Sequence, residues 1–373
     1  MQEIVMRVYS LVLSLIVVAT FGGTDAVLVA MAEASEAAPQ PALHQSSSQE
    51  EALVWKSSTH CERVVKDGGR MAVPERDTLR VGTWNIRWFP YGSPPDRPDH
   101  SMAPTDLVWL TCTLVWMQTD LLVIQESLTT SEARAAWDRV LTTLAQQTGD
   151  VWQWSVQSCG RPDGHHVGVL WNASRVTLST MQSLWRLNSK ATSSQEPCKG
   201  GLRPGHYARV QSTHQHGADF HVIGLHLKSG PTVSAVGERH AALNRIDTAV
   251  ARFLEQDRDV IILGDLNTMG AGDRHSQRSE LKYLRRMVAK EEPGFDDLSP
   301  KPRCSHYFRG RGEWLDHVLV AKDMTEMRTR SARVTGYCAV AGCRRIKGEY
   351  PPAYRRLSDH CPVIIEIDNR DLD

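Results

Sequence analysis

The chain carries no net charge, with 43 Lys and Arg against 43 Asp and Glu in 373 residues. A uniform pull toward nucleic acid or an anionic membrane is therefore excluded, and any attraction for a polyanion must come from a local patch. No unit recurs at the roughly 20–50-residue period of solenoids and propellers, which excludes those architectures. The N-terminal apolar stretch, residues 8–21, falls short of the roughly 20 residues that span a bilayer. No second closely spaced cysteine pair or histidine cluster accompanies Cys338 and Cys343, so a structural zinc site lacks half its ligands.

What is present points to export. Arg7, the apolar stretch and Ala30-Met31-Ala32 match a cleavable secretory signal over residues 1–32, so the mature protein is expected to be secreted or periplasmic. Residues 33–56, rich in Ala, Ser, Gln, Glu and Pro, read as a flexible linker. Residues 57–373 read as the folded part, and a hydrophobic content of 41% provides a large core. All eight cysteines (61, 112, 159, 198, 304, 338, 343 and 361) lie beyond the cleavage point, and their even number suggests disulfides. Cys338 and Cys343 are the expected local bridge, Cys112 reads as a buried thiol in an apolar run, and the other pairings stay open.

From residue 79 onward, short Val/Ile/Leu-rich runs alternate with amphipathic ones. Segments 79–86, 121–125, 167–171, 220–227, 260–263, 315–321 and 363–367 predict buried strands. Segments 105–117, 132–147, 238–256 and 279–290 predict helices, as with Leu243, Ile246, Val250 and Phe253 at three-and-four spacing. The order favours one layered α/β domain.

Six segments at the ends of such runs carry residues suited to phosphoryl chemistry: Trp84-Asn85-Ile86-Arg87, Ile124-Gln125-Glu126, Leu225-His226-Leu227, Gly264-Asp265-Leu266-Asn267, Leu315-Asp316-His317 and Ser358-Asp359-His360. A hard divalent cation needs one to three carboxylates and an amide oxygen, which Glu126, Asp359 and Asn85 can supply. Asp265 suits activation of a water and Asn267 a hydrogen bond to phosphate; both emerge on one side if the extended backbone continues, and an Asx turn is the structural alternative. Asp316 is expected to fix the tautomer of His360, which acts on the scissile phosphate. Asp316 is preferred to His317 because adjacent strand residues face opposite sides. His226 could protonate the leaving oxygen or hold the phosphate. His165, His166, His206 and His317 carry no distinguishing context. Arg87 and Arg203 suit bidentate phosphate binding, and residues 328–356 hold eight Lys or Arg with Glu349 as the one acid.

These six motifs, in this order, resemble the endonuclease/exonuclease/phosphatase superfamily over residues 79–367. The resemblance implies a four-layer α/β sandwich, two mixed β-sheets flanked by helices, with residues 57–373 as its catalytic domain. It implies a cation, Mg²⁺ or Mn²⁺ with Ca²⁺ as a further option, among Asn85, Glu126 and Asp359. It also implies water and phosphate handling by Asp265 and Asn267, and support of His360 by Asp316. Asn85-Ile86-Arg87 before an aromatic residue, and His226 after the central strand, are more similar to the deoxyribonuclease I branch than to abasic-site endonucleases. Arg203 is placed similarly to a phosphate-binding Arg of deoxyribonuclease I. One departure stands out: that branch pairs the His with a Glu, whereas Gly164-His165-His166-Val167-Gly168 offers no carboxylate. His226 is then expected to contribute hydrogen bonding more than proton transfer.

The expected activity is a metal-dependent nuclease acting on DNA, with RNA as a further substrate and no stable protein partner implied. The alternatives are a sphingomyelinase-like phosphoesterase for phospholipid or inositol phosphate, the one reading that involves membrane contact, and a catalytically silent binding protein.

Overall fold

A computed structural model describes residues 43–72, 77–99, 101–272, 274–290, 294–327 and 329–373; the expected signal segment and residues 33–42 of the expected linker lie outside them. In chain order the strands are β1 (Thr78–Phe89), β2 (Leu121–Ser127), β3 (Trp152–Val156), β4 (His166–Asn172), β5 (Val176–Leu184), β6 (Gly205–Ser212), β7 (Asp219–His226), β8 (Val260–Asp265), β9 (Phe295–Asp297), β10 (Pro300–Lys301), β11 (His306–Phe308), β12 (Arg311–Glu313), β13 (Asp316–Ala321), β14 (Ala332–Val334) and β15 (Val363–Asp368). The helices are α1 (Leu43–Val54), α2 (Ser58–Lys66), α3 (Leu107–Met117), α4 (Ser131–Thr148), α5 (Val233–Leu243), α6 (Ile246–Leu254), α7 (Arg274–Val288), α8 (Tyr337–Ala341) and α9 (Pro352–Arg356).

Seven strands form one sheet in the order β10-β14-β15-β1-β2-β4-β3, and six form a second in the order β5-β6-β7-β8-β13-β9. Both are mixed: β1–β2, β10–β14 and β7–β8 run parallel and the other neighbours antiparallel. The sheets face each other through β1, β2 and β4 against β7 and β8, while α3 packs between α2 and α4 on one side and α5 against α7 on the other. This is the expected four-layer α/β sandwich. With each sheet covered on both faces, the central strands read as continuous apolar runs.

Local sequence sets the helices. In α3 nearly every residue is buried, so it shows no polar face; Asp106 caps it by accepting from Trp109 N. In α4, Thr130 accepts from Ala133 N, Gly149 ends the helix at φ 77°, and Ala133, Ala136, Trp137, Val140 and Leu144 form the buried stripe. Trp137 packs against Phe89 at 4.6 Å and donates to Ser127 Oγ at 3.0 Å, beside Glu126. Truncating it would cost about 3–5 kcal/mol and loosen the floor of the β1–β2 edge. The expected helix 238–256 is two helices, α5 and α6, broken at Asn244 and Arg245.

Other expectations change. Residues 43–54 form α1 rather than linker: Val54 and Trp55 are buried, Trp55 meets Trp84 edge-on at 5.8 Å, and Trp109 Nε1 donates to Val54 O at 2.8 Å. The polar composition of 33–56 hides the apolar pair Val54-Trp55 that anchors it. Cys338 and Cys343 do not bridge each other; Gly342 turns the chain at φ 58° between them. The disulfides are Cys61–Cys112, Cys159–Cys198, Cys304–Cys343 and Cys338–Cys361, so Cys112 is bonded rather than a buried thiol.

Candidate active site

Register brings the six motifs to one edge. Parallel pairing of β1 and β2 places Asn85 beside Gln125, and parallel pairing of β7 and β8 places His226 beside Asp265. Antiparallel β13 sets Asp316 opposite Asp265. Antiparallel β15 pairs Val363 with Thr83, so the chain entering it brings Ser358 to Asn85, whose carbonyl accepts from Ser358 Oγ at 2.6 Å. Strands from both sheets thus end on a common polar cluster.

The backbone there is strained. Arg87, Trp88, Glu126 and Asn267 hold positive φ of 37°, 45°, 63° and 52°, at a cost of about 1–3 kcal/mol each. Gly264 (φ 147°) precedes Asp265, and a Cβ on it would stand 2.0 Å from Leu225 O, so the close approach of β8 to β7 requires glycine.

Asn85 Nδ2 donates to Glu126 Oε1 and to Asp265 Oδ2, each at 3.1 Å, while its Oδ1 accepts from Arg87 N at 3.0 Å. This amide spaces two carboxylates and has its oxygen engaged by Arg87 N. Glu126 Oε2 accepts from Trp88 N at 3.1 Å. Asp265 Oδ1 accepts from Asn267 N at 2.9 Å, so an Asx turn replaces the continued extended backbone, and Asn267 Nδ2 donates to Leu227 O at 3.2 Å. His360 Nδ1 donates to Asp316 Oδ2 at 2.7 Å and Nε2 stands 3.8 Å from Asp265 Oδ2. His226 Nε2 is 3.5 Å from Asp265 Oδ2 and 3.9 Å from Glu126 Oε1. His317 faces away, with ring nitrogens 2.9 Å from Asp297 Oδ1 and 2.9 Å from Thr268 Oγ1.

The arginines are turned inward. Arg203 donates through Nε to His226 O at 3.0 Å and through Nη2 to Leu227 O at 2.6 Å. Arg87 donates through Nε to Gly92 O at 2.7 Å, lies over the Tyr354 ring, and keeps a buried Nη1 without a partner.

Burial and neighbours set the charges. Burial alone would lower His360, but Asp316, Asp265 and Asp359 outweigh it and push it up to about 10, an imidazolium at neutral pH. Burial raises Asp265 to about 6, with His360 pulling down and Asp316 pushing up. Burial, reinforced by Asp359, raises Glu126. Burial would also raise Asp359, but His306, Arg87 and His360 hold it well below the usual carboxylate range. His226 is held well below the usual range by burial and then by Arg203 and His165, and His165 falls to about 3 for like reasons.

Two residues that the motifs did not single out join the site. His306 Nε2 stands 3.7 Å from Asp359 Oδ2, with its ring 4.4 Å from that of His360; it belongs to a short hairpin with no apolar run to announce it. His165 Nε2 stands 3.4 Å from Glu126 Oε2, carried there because β4 pairs with β2 next to Glu126.

The donor set fits a divalent cation. Glu126 and Asp359 are partly buried carboxylates, with side chains 14% and 23% exposed; Asp359 adds to the cost of ionising Glu126, a cation would relieve it, and these two are the side chains that would hold it. Residues 82–360 match the Endonuclease/Exonuclease/phosphatase family. The chain belongs to that family. Members of the endonuclease/exonuclease/phosphatase family are divalent-metal-dependent hydrolases of phosphoester bonds. No curated protein matches the chain. Among solved structures, the human Nocturnin catalytic domain with bound sulfate is 15% identical, covering 80% of this chain and 96% of that one at TM-score 0.48. A mannosyl-6-phosphatase from Bacteroides thetaiotaomicron is 13% identical, covering 77% and 98% at TM-score 0.49. D. rerio TDP2 complexed with single strand DNA product is 15% identical, covering 78% and 99% at TM-score 0.48.

Proposed function

We propose that this family member is an exported, divalent-metal-dependent phosphodiesterase whose substrate is a nucleic-acid backbone. The observation that carries the chemistry is the line Asp316–His360–Asp265, joined through Asn85 to Glu126 at one edge. Asp265, poised near neutrality, accepts a proton from the attacking water. His360, oriented by Asp316 and charged, donates to a non-bridging phosphate oxygen and stabilises charge that grows there. Asn85 keeps the Asp265 and Glu126 carboxylates apart and aimed. His226, neutral and beside Asp265, contributes a hydrogen bond, and Arg203 adds positive charge behind it. When bound at Glu126 and Asp359, Mg²⁺ or Mn²⁺ supplies charge neutralisation on the phosphate.

A nucleic acid is favoured over a small phosphate ester by the surface next to Asp359. Hairpin β11–β12 presents Phe308, 52% exposed, with Arg309 over its ring and Arg311 exposed beside it. Cys304–Cys343, Tyr307 Oη to Arg344 O at 2.9 Å and Ile346 N to Gly310 O at 2.9 Å fasten it to a loop with exposed Arg344, Arg345 and Lys347. A basic strip with an exposed aromatic suits backbone phosphates and a stacked base. Four disulfides support an oxidising compartment, hence export; among the described residues no helix is long and apolar enough to cross a membrane.

The test is nicking of supercoiled plasmid in Mg²⁺ or Mn²⁺, with EDTA as control. Nicking that EDTA abolishes is the expected result. Folded protein that leaves plasmid intact in both metals, yet hydrolyses phospholipid or inositol phosphate, would transfer the site to those substrates.

A further inference from the structure

A carboxylate and two imidazoles converge beside the Glu126–Asp359 pair. Glu126 lies near the end of β2, His165 stands just ahead of β4 on the neighbouring strand, and His226 ends β7 in the other sheet. One ligand atom from each lies within 4.8 Å of the others. Glu126 Oε2 is 3.4 Å from His165 Nε2, and Glu126 Oε1 is 3.9 Å from His226 Nε2. Both exceed an ordinary hydrogen bond, whereas adjacent ligands of a tetrahedral ion with bonds of about 2.1 Å stand about 3.4 Å apart. His165 Nε2 is buried and has no hydrogen-bond partner, so a group that needs one faces a carboxylate without bonding to it. The parts are held in place: the His165 ring meets Trp88 edge-on at 3.8 Å and lies parallel to the His226 ring at 5.7 Å. Asn85 Nδ2 and Trp88 N fix both oxygens of Glu126.

We propose that Glu126, His165 and His226 form a nitrogen-bearing cation position, beside the all-oxygen position of Glu126 and Asp359, and that it takes a borderline divalent ion such as Co²⁺ or Zn²⁺ in preference to Mg²⁺. Imidazole suits such ions, while Mg²⁺ favours oxygen ligands and retained water. Three protein ligands leave a position open for water or a phosphate oxygen. The assignment builds on the phosphoesterase reading above and gives His165 a purpose there: where a carboxylate would have made His226 an imidazolium, a second imidazole makes the pair a ligand set.

Metal-stripped full-length protein titrated with Co²⁺ tests this without any turnover. The expected result is visible d–d absorption of a nitrogen-ligated ion, resistant to excess Mg²⁺. Affinity should fall about tenfold or more in His165→Gln, fall similarly in His226→Gln, and persist in Asp359→Asn. Circular dichroism establishes that each variant is folded, and either His variant suffices if the other is not. Unchanged Co²⁺ affinity and spectrum in a folded His variant, or loss in Asp359→Asn equal to that in the His variants, would overturn the proposal. The two readings fail separately. Co²⁺ bound through His165 with no phosphoester hydrolysed would sink the activity alone, and Mg²⁺-dependent nicking with Co²⁺ binding indifferent to His165 would sink this position alone.

Discussion

The two ends of β8 carry aspartates of nearly equal burial: Asp259, just ahead of the strand, is 2% exposed and Asp265, its last residue, is 1% exposed. They stand roughly 20 Å apart along the strand. Around Asp265, the carboxylates of Glu126, Asp316 and Asp359 are interleaved with His165, His226, His306 and His360. Around Asp259, the company is Asp257, Glu326 and Asp373, and Arg209 reaches Asp257 at 3.7 Å while holding Asp219 more closely at 2.7 Å. Burial raises both aspartates. His360 restrains Asp265 to about 6, whereas Glu326 and Asp257 push Asp259 on to about 9. Similar solvent exposure therefore yields a base at one end and a stored proton at the other, and the difference lies in the neighbours: an imidazolium and amide donors at Asp265, further carboxylates at Asp259.

The sharpest way to break the comparison is to neutralise each end. Asp265→Asn should lower phosphodiester turnover by about 10²–10⁴-fold, while Asp259→Asn leaves turnover within about twofold; an equal loss in both would show that charge at the site end has no special role. Next in size, Asp316→Asn should lower turnover by about 10²-fold and move the pH profile. Turnover of the native protein should rise with pH as Asp265 ionises, at or below about pH 6. Without Asp316, Asp265 and His360 both titrate lower, so both limbs of the profile shift to lower pH; limbs that stay put would remove His360 from the chemistry.

A stability measurement addresses the other end. Asp259 has a folded pKa above its unfolded one, so its contribution is fully present below about pH 4 and lost as pH rises through about 9. Thermal unfolding should show the native protein losing stability across that window and Asp259→Asn losing less; parallel curves would mean that the proton is not stored there. Removing Cys338–Cys361, which ends one residue past His360, should cost about 2–4 kcal/mol and lower turnover of the remaining folded protein. Removing Cys61–Cys112, between α2 and α3, should cost a similar amount with turnover per folded molecule kept. The smallest effect belongs to Arg309→Ala with Arg311→Ala: plasmid affinity should depend less steeply on salt, by about 0.9 in log–log slope for each lost phosphate contact.

The reach of the sequence follows the same physics. Strand-end motifs are local, so the apolar runs before Asn85, Glu126, His226 and Asp265 located their strands, and sheet register did the rest. Asp316 and His360 were pairable because a carboxylate opening one run and an imidazole just ahead of another suggest one site. His306 sits in a three-residue strand with no run to mark it, and His165 acquires meaning only when β4 pairs with β2. The turn at Asn267, the alternative to a continued extended backbone, rests on one side-chain acceptor, Asp265 Oδ1, and spacing alone does not decide between the two. Disulfide partners 23 to 51 residues apart are set by packing, and α1 was hidden because two buried apolar residues, Val54 and Trp55, anchor an otherwise polar segment.

The most direct test of the account is plasmid nicking by the native protein, Asp265→Asn and Asp259→Asn, side by side in Mg²⁺ or Mn²⁺ and in EDTA. The account predicts nicking by the native protein and Asp259→Asn, none by Asp265→Asn, and none in EDTA. Nicking that survives in folded Asp265→Asn or in EDTA would contradict it.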